Sequence, residues 1–92
     1  MRTLYVSQQG CRLSLKQEFV LIYLGDLLLQ EVPLPSLEQV FIFGRSQVTT
    51  DVVRECLKRN IPIAYLSRLG YCYGRLIPIA RGYRRLQPFN LK

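Results

Sequence analysis

The stretch TTDVVRECLKRNIPIAYLSRLG, residues 49–70, predicts a short amphipathic helix that runs directly into a buried strand. The helix is indicated by spacing, because four apolar side chains recur on one face of a 3.6-residue period while charged residues fill the rest. The four are Val52, Val53, Cys56 and Leu57. Nothing else in the sequence has such a clear helical pattern, so this stretch anchors the assignment of the whole chain.

Both ends of this helix carry signals of their own. A threonine at position 49 or 50 can cap the N-terminus with its hydroxyl. At the other end Asn60 tolerates the left-handed conformation that often follows a helix, and Pro62 prevents the helix from continuing. The uncharged run 61–66 is then typical of a strand that is buried on both faces.

The sequence before the helix reads as a series of short strands. Alternation is strict in residues 11–16, where Cys11, Leu13 and Leu15 point inward. A two-residue Gly25-Asp26 loop predicts a tight hairpin with positive φ at its first position. The strands expected before the helix are 3–7, 11–16, 19–24, 27–32 and 40–43.

After the helix, residues 71–78 predict a last strand with Tyr71, Tyr73, Arg75 and Ile77 on one face. Residues 81–92 have too few apolar side chains to close a core and are predicted to be a connection. The fold class is therefore mainly β (α+β), a small β-sandwich of about six or seven strands with one packed helix. Its 92 residues are enough for one core without disulfides.

Charge is distributed unevenly along the chain. Residues 1–44 carry three basic and four acidic side chains, whereas residues 45–92 carry ten basic and two acidic ones, for a net charge of +7 overall. This asymmetry favours a polyanion near the C-terminal half, most simply nucleic acid. The alternative is a solvated basic surface that only keeps the protein in solution.

The residue inventory offers no active site. Without histidine the chain lacks Ser-His-Asp and Cys-His nucleophiles and histidine metal sites. Asp51 and Glu55 could share a cation, but pairing with Arg54 and Arg59 on a solvated helix face is the favoured interpretation. We therefore predict no catalytic residue and no metal ligand in this chain.

Cysteine usage and hydropathy bear on location. The three cysteines, Cys11, Cys56 and Cys72, include no C-x-x-C pair and are expected to be reduced packing residues of a cytoplasmic protein. The N-terminus lacks the apolar region of a secretion signal, and the run 19–24 is too short to cross a bilayer. We expect no membrane association.

Basic and aromatic side chains are the candidate binding residues. Arginine next to tyrosine can hold phosphates and stack on bases, and the same composition makes protein interfaces. Tyr71, Tyr73 and Arg75 are predicted to form an interface, with DNA as the alternative. The predicted DNA-binding residues are Arg45, Arg59, Arg68, Arg81, Arg84 and Arg85.

Three segments carry a family pattern: MRTLYVSQQG, LEQVFIFGRSQVTTDVVRECLKRNIPIAYLSRLGYCYGRL and PIARGYRRLQ. They resemble the N-terminal β domain of the CRISPR-associated adaptation integrase, a metal-dependent DNA endonuclease, in a form most like its cyanobacterial members. The middle segment is the specific one, since it combines strand, glycine, paired threonines, helix, Asn-Ile-Pro-Ile and a second strand. The resemblance covers almost all of the chain.

The resemblance implies that residues 1–80 are the N-terminal β domain and that residues 81–92 are a linker towards a helical catalytic domain absent here. In the family that helical domain holds a Glu, a His and an Asp that bind Mg²⁺ or Mn²⁺, and none of these residues carries over to this sequence. The implied partners are a second copy in a homodimer, a small companion subunit of the adaptation complex, and double-stranded DNA. We expect these residues to dimerise and to position DNA, without catalysing the insertion of new spacers themselves.

Two other functions remain open at this point. A free-standing small β module could bind single-stranded nucleic acid through its Tyr/Arg face, with binding that weakens steeply with salt. A purely structural interaction module would carry its positive charge only for solubility.

Overall fold

The structure is a computed structural model, and it describes residues 2–79. Its strands are β1 (Arg2–Val6), β2 (Cys11–Lys16), β3 (Phe19–Leu24), β4 (Leu27–Pro33), β5 (Leu37–Phe43), β6 (Gln47–Val48), β7 (Ile63–Leu66) and β8 (Cys72–Leu76). The helix α1 spans Thr50–Lys58, and a single 3₁₀ turn spans Leu34–Ser36. The predicted linker, 81–92, lies outside the described residues, so the proposed domain boundary stays a prediction.

These strands form two four-stranded sheets. Sheet A has the order β1-β5-β7-β8, in which β1, β5 and β7 are parallel and β8 is antiparallel at the edge. Sheet B has the order β4-β3-β2-β6, antiparallel except for the short β2–β6 pair. The predicted fold class, a small mainly β (α+β) domain with one helix, is confirmed.

The inner faces of both sheets and one face of α1 share a single apolar core. Leu13 of sheet B, Ile42 and Ile63 of sheet A and Cys56 of α1 are all completely buried in it. The predicted alternation of β2 is confirmed, because Cys11 and Leu13 are buried and the half-buried Leu15 packs against the same cluster.

The helix begins and ends where its sequence signals predict. Thr49 is the N-cap, and its hydroxyl accepts a hydrogen bond from the Val52 amide at 3.4 Å. At the C-terminus Asn60 has a φ of 61°, and the Ile61 amide donates to the Cys56 carbonyl at 2.8 Å. With the Asn60 amide bonded to the Leu57 carbonyl, this is a Schellman motif, which turns the chain directly into β7.

Some sequence-based boundaries were wrong. Strand β5 begins at Leu37 instead of residue 40, because these residues pair in parallel with β1, and such long-range pairing leaves no local signal. The two-residue β6 was not predicted, and it raises the number of strands within residues 2–79 to eight. The last strand is shorter than predicted and covers only Cys72–Leu76.

One cysteine also departs from its prediction. Cys11 and Cys56 are buried packing residues as expected, but Cys72 is exposed because it lies on the edge strand β8, beyond the reach of the core. All three thiols are free.

The length of the helix in residues 2–79 bears on membrane crossing. The one α-helix there, α1, is nine residues long, and no described helix is long and apolar enough to span a membrane.

Candidate functional site

The candidate site lies at one edge of sheet A, where three parallel strands end. Because β1, β5 and β7 run in the same direction, the loops that follow them, residues 7–10, 44–46 and 67–70, meet at this edge. In open sheets with parallel strands, ligands bind outside the carboxyl ends of the strands. We call these three loops the carboxyl edge.

An open cavity of about 760 Å³ lies at the carboxyl edge. Arg45 from the loop after β5 and Arg68 from the loop after β7 line it together with Tyr71 and Tyr73. No acidic side chain lines this cavity, and neither arginine forms an ion pair with another described residue. Two exposed guanidinium groups beside two tyrosine rings can hold phosphate oxygens and stack on a base.

Hydrogen bonds hold the loop after β7 in one conformation. The Ser67 amide donates to the Tyr71 carbonyl at 2.7 Å, and the Tyr71 amide donates to the Ser67 hydroxyl at 3.0 Å. Gly70, with a φ of 98°, completes the turn and donates its amide to the Ser67 carbonyl. Arg68 and Tyr71 therefore project from a closed turn instead of a long flexible loop.

Sheet A also has an aromatic outer face, on the side away from the core. Alternation along the strands places Tyr5, Phe41 and Phe43 there. The Tyr5 ring centroid lies 5.5 Å from that of Phe41 and 6.3 Å from that of Phe43, and Tyr5 is 62% exposed. We call these three residues the aromatic face.

The edge strand β8 continues this outer face. In the paired register Tyr5, Phe41, Ala64 and Arg75 form one row across the sheet. Most of β8 is exposed, with Tyr73 at 77%, and among the described residues only β7 pairs with it. An exposed strand edge next to an aromatic face with an exposed Tyr5 and half-buried Phe41 and Phe43 is a surface on which another chain can dock.

Comparison with known proteins gives the family. The sequence model of the family described as "CRISPR associated protein Cas1" matches residues 4–88, almost the whole chain. This chain belongs to the Cas1 family. Two curated relatives agree with this assignment. The "CRISPR-associated exonuclease Cas4/endonuclease Cas1 fusion" of Geobacter sulfurreducens is 31% identical over 83 residues, and the "CRISPR-associated endonuclease Cas1" of Mycobacterium tuberculosis is 32% identical over 76 residues.

The match covers only part of each Cas1 relative. It includes 90% of this chain but 13% of the Geobacter protein, and 83% of this chain but 22% of the Mycobacterium protein. Among solved structures, the "Partial Cas6-RT-Cas1--Cas2 complex" matches with a TM-score of 0.79 at 16% identity, over 86% of this chain and 24% of that one. At this identity the structural match shows the shared fold.

The predicted DNA-binding residues of this Cas1-family chain do not all come together. Arg45 and Arg68 meet at the carboxyl edge, whereas Arg59 lies at the end of α1. Arg59 donates hydrogen bonds to Glu55 at 3.0 Å and to Glu18 at 3.2 Å. These two bonds raise the pKa of Arg59 above its usual value, and the bond to Glu55 has the larger effect. Its role in DNA binding stays a prediction. The remaining three, Arg81, Arg84 and Arg85, lie outside the described residues.

The predicted interface residues Tyr71, Tyr73 and Arg75 are all exposed. Their positions fit either DNA binding or a protein interface. The two tyrosines line the cavity, whereas Arg75 lies in the same row of the sheet as Tyr5 and Phe41 of the aromatic face. No finding tests their assignment to an interface, which stays a prediction.

The acidic residues of residues 2–79 do not fit the Mg²⁺ or Mn²⁺ that the resemblance implies for the intact family member. Within this part of the chain no three His, Cys, Asp or Glu side chains are grouped closely enough to hold a metal ion. Asp51 and Glu55, the one pair considered from sequence, bond Arg54 at 2.9 Å and Arg59 at 3.0 Å. The predicted pairing of these carboxylates with arginines is confirmed.

Sequence reasoning missed two parts of the site. The sequence predicts the residues of the aromatic face only as strand residues, because their rings come together through the parallel pairing of β1 with β5. Gln9, which was assigned only to a turn, joins the loops after these two strands through its side chain. No local sequence signal indicates this link, because Gln9 and Arg45 are 36 positions apart.

Proposed function

We propose that this chain is the dimerisation and DNA-positioning domain of a CRISPR adaptation integrase that inserts new spacers into the CRISPR array. The observation that carries the proposal is the pair of arginines without acidic partners, Arg45 and Arg68, at the carboxyl edge of a Cas1-family domain. Their role is to hold DNA phosphates, since phosphate contacts fix the orientation of a protein on DNA.

We propose that residues 2–79 do not catalyse the reaction themselves. Metal-dependent attack on DNA, with Mg²⁺ or Mn²⁺, belongs to a part of the intact family member that these residues do not include. A DNA-positioning domain contributes by fixing the geometry of the reacting strands, which is itself a large source of rate enhancement. We propose that this positioning of DNA takes place in the cytoplasm, where the CRISPR array lies.

The proposed partners are a second copy of the chain and a small companion subunit of the adaptation complex. The aromatic face, with its exposed Tyr5, and the open edge of β8 support dimerisation, because tyrosine and phenylalanine are enriched in interfaces. The matched solved structure is a complex of a Cas1-containing protein with Cas2, which supports a companion subunit here. Sedimentation velocity at several concentrations tests the dimer.

The DNA arm of the proposal is tested with the double variant Arg45→Ala, Arg68→Ala of the 92-residue chain. We expect binding to a short fluorescently labelled DNA duplex to weaken, and the slope of log K against log salt to fall by about 2, because each phosphate contact contributes roughly 0.9. The matched control is Arg54→Ala, since Arg54 is exposed on α1 and paired with Asp51. Because the control removes one positive charge and the double variant removes two, a control loss of half the double-variant loss or more, on the log K scale, would show that the effect comes from net charge alone.

A second candidate function is favoured by the tyrosines in the cavity. If Tyr73 stacks on a base of a single strand, Tyr73→Ala should weaken binding to an unpaired oligonucleotide by roughly 1 to 3 kcal/mol and leave the oligomeric state unchanged. If Tyr73 belongs to the dimer contact, the same substitution should dissociate the dimer without changing the affinity for single strands. Measuring both properties on one variant separates the two functions.

A further inference from the structure

The side chain of Gln9 connects two loops of the carboxyl edge. Its Nε2 donates to the Phe43 carbonyl at 2.9 Å and to the Ser7 carbonyl at 3.2 Å. Its Oε1 accepts a hydrogen bond from the Arg45 amide at 2.8 Å. One amide group therefore joins the loop after β1 to the end of β5 and to Arg45, which lines the cavity.

Gly44 provides the space that this arrangement needs. Its φ is 74°, in the left-handed region that favours glycine. A Cβ atom at this position would overlap the amide group of Gln9. Any side chain at position 44 would therefore displace Gln9 from its hydrogen bonds.

The backbone of Arg45 is bonded on both sides. Its N–H donates to Gln9 Oε1, and its carbonyl accepts from the Gly10 amide at 2.6 Å. Next to it, the Ser46 hydroxyl forms two further hydrogen bonds between these segments. It donates to the Gln8 carbonyl at 3.2 Å and accepts from the Cys11 amide at 3.1 Å. The guanidinium of Arg45 thus extends from a fixed backbone into the cavity. Among these bonds, the one that holds the Arg45 amide comes from the side chain of Gln9.

We propose that Gln9 is a positioning residue for DNA binding, which holds Arg45 in place without contacting the DNA itself. This inference rests on the proposed DNA-positioning function. Its physical basis is preorganisation, because a group that is ordered before binding loses less conformational freedom when the ligand arrives. Loss of the Gln9 bonds should weaken DNA binding by about three- to tenfold, and the whole effect should depend on Arg45.

A double-mutant cycle tests this dependence. The 92-residue chain, Gln9→Met, Arg45→Ala and the double variant are titrated against the same labelled DNA duplex. Methionine keeps the size of the glutamine side chain and removes its hydrogen bonds. We expect Gln9→Met to weaken binding in the original background and to change nothing further in the Arg45→Ala background, since residues that act through one contact are not additive.

The chain contains a matched control for general loss of stability. Gln39 also bonds across β1 and β5, because its Nε2 donates to Thr3 Oγ1 at 3.0 Å, but at the opposite end of the two strands. Gln39→Met should leave DNA affinity unchanged. A loss as large as that of Gln9→Met would overturn the proposal, since any weakened contact between the strands would then be sufficient.

A readout without DNA keeps the inference separate from the proposed function. In amide hydrogen exchange by NMR, Gln9→Met should speed exchange at Arg45 and leave core amides of β5 protected. Unchanged exchange at Arg45 overturns the positioning role directly. If Arg45→Ala leaves DNA affinity intact, the proposed function itself fails; if Arg45→Ala weakens binding but Gln9→Met weakens it equally in both backgrounds, only the inference about Gln9 fails.

Discussion

Cys56 is the residue at which burial most clearly changes chemistry. It is completely buried in the core, and desolvation by burial, with a smaller contribution from the charge of Glu55, raises its pKa from 9.0 to about 11. The unfolded chain releases the thiol proton at lower pH than the folded one. The protonated Cys56 therefore makes its full contribution to the free energy of unfolding below about pH 9, and this contribution is lost as the pH rises towards 11. The contribution lost over this range is about 2 to 3 kcal/mol.

This pH dependence can be measured by urea unfolding at a series of pH values between about 8 and 11. The reference is Cys56→Ala, which is less stable at pH 8 because it leaves a cavity and which has no thiol to ionise at higher pH. We expect the difference in unfolding free energy between the two proteins to shrink as the pH rises. Curves that stay parallel across the range would contradict the prediction. Tyr65, whose pKa burial also raises, is present in both proteins and cancels.

At the scale of one residue, the sequence predicted chemistry well where the signal was local. The left-handed Asn60, the Thr49 cap and the paired carboxylates of α1 were all predicted, because each depends on neighbours within four positions. Cys72 was not, because exposure depends on which strand lies next to it. The role of Gln9 depends on a partner loop that lies far away in the sequence.

At the scale of an element, the end of α1 gives a clean test of backbone conformation. Asn60 is held at a φ of 61° by the Schellman motif. We expect Asn60→Ala to destabilise the protein by about 1 kcal/mol, since a Cβ atom is strained in this conformation, whereas Asn60→Gly should change stability by only a few tenths. Urea unfolding of both variants measures the difference. Equal losses would mean that the Asn60 side chain matters more than the backbone.

Elements differed in how far their sequence predicted them. The hairpin of β3 and β4 was predicted with its turn, and Gly25 has the expected positive φ of 61°. The start of β5 was missed because this strand pairs in parallel with β1, and parallel partners carry no turn signal between them. Local turn chemistry therefore predicts sheet B better than sheet A.

At the scale of the whole molecule, dimerisation through the aromatic face predicts which surface changes will matter. Tyr5→Lys places a charge on that face, and we expect the dissociation constant of the dimer to rise about tenfold or more. Leu27→Lys is the matched control, because Leu27 is also 62% exposed but lies in sheet B. Sedimentation velocity of both variants measures the effect. A dimer that Leu27→Lys weakens and Tyr5→Lys does not would place the contact on the other sheet.

The family, the fold class and the excess of positive charge in residues 45–92 could thus be predicted from the sequence, whereas the site could be predicted only in part. Arg45 and Arg68 were named from sequence because they are basic residues next to glycines, turns or tyrosines. Their convergence on one cavity required the order of strands in sheet A, in which β5 and β7 are neighbours although α1 separates them in the chain.

The order of strands in sheet A also determines when each part of the molecule can form. Strands β2, β3 and β4 follow one another through short turns, so sheet B closes small loops and can assemble early. Strand β1 must wait for β5, since Thr3 and Gln39 are 36 positions apart, and β5 must wait for α1 and β7 to complete its other side. During synthesis β1 therefore leaves the ribosome well before its partner β5 and waits unpaired, and the carboxyl edge exists only after β1, β5 and β7 have come together.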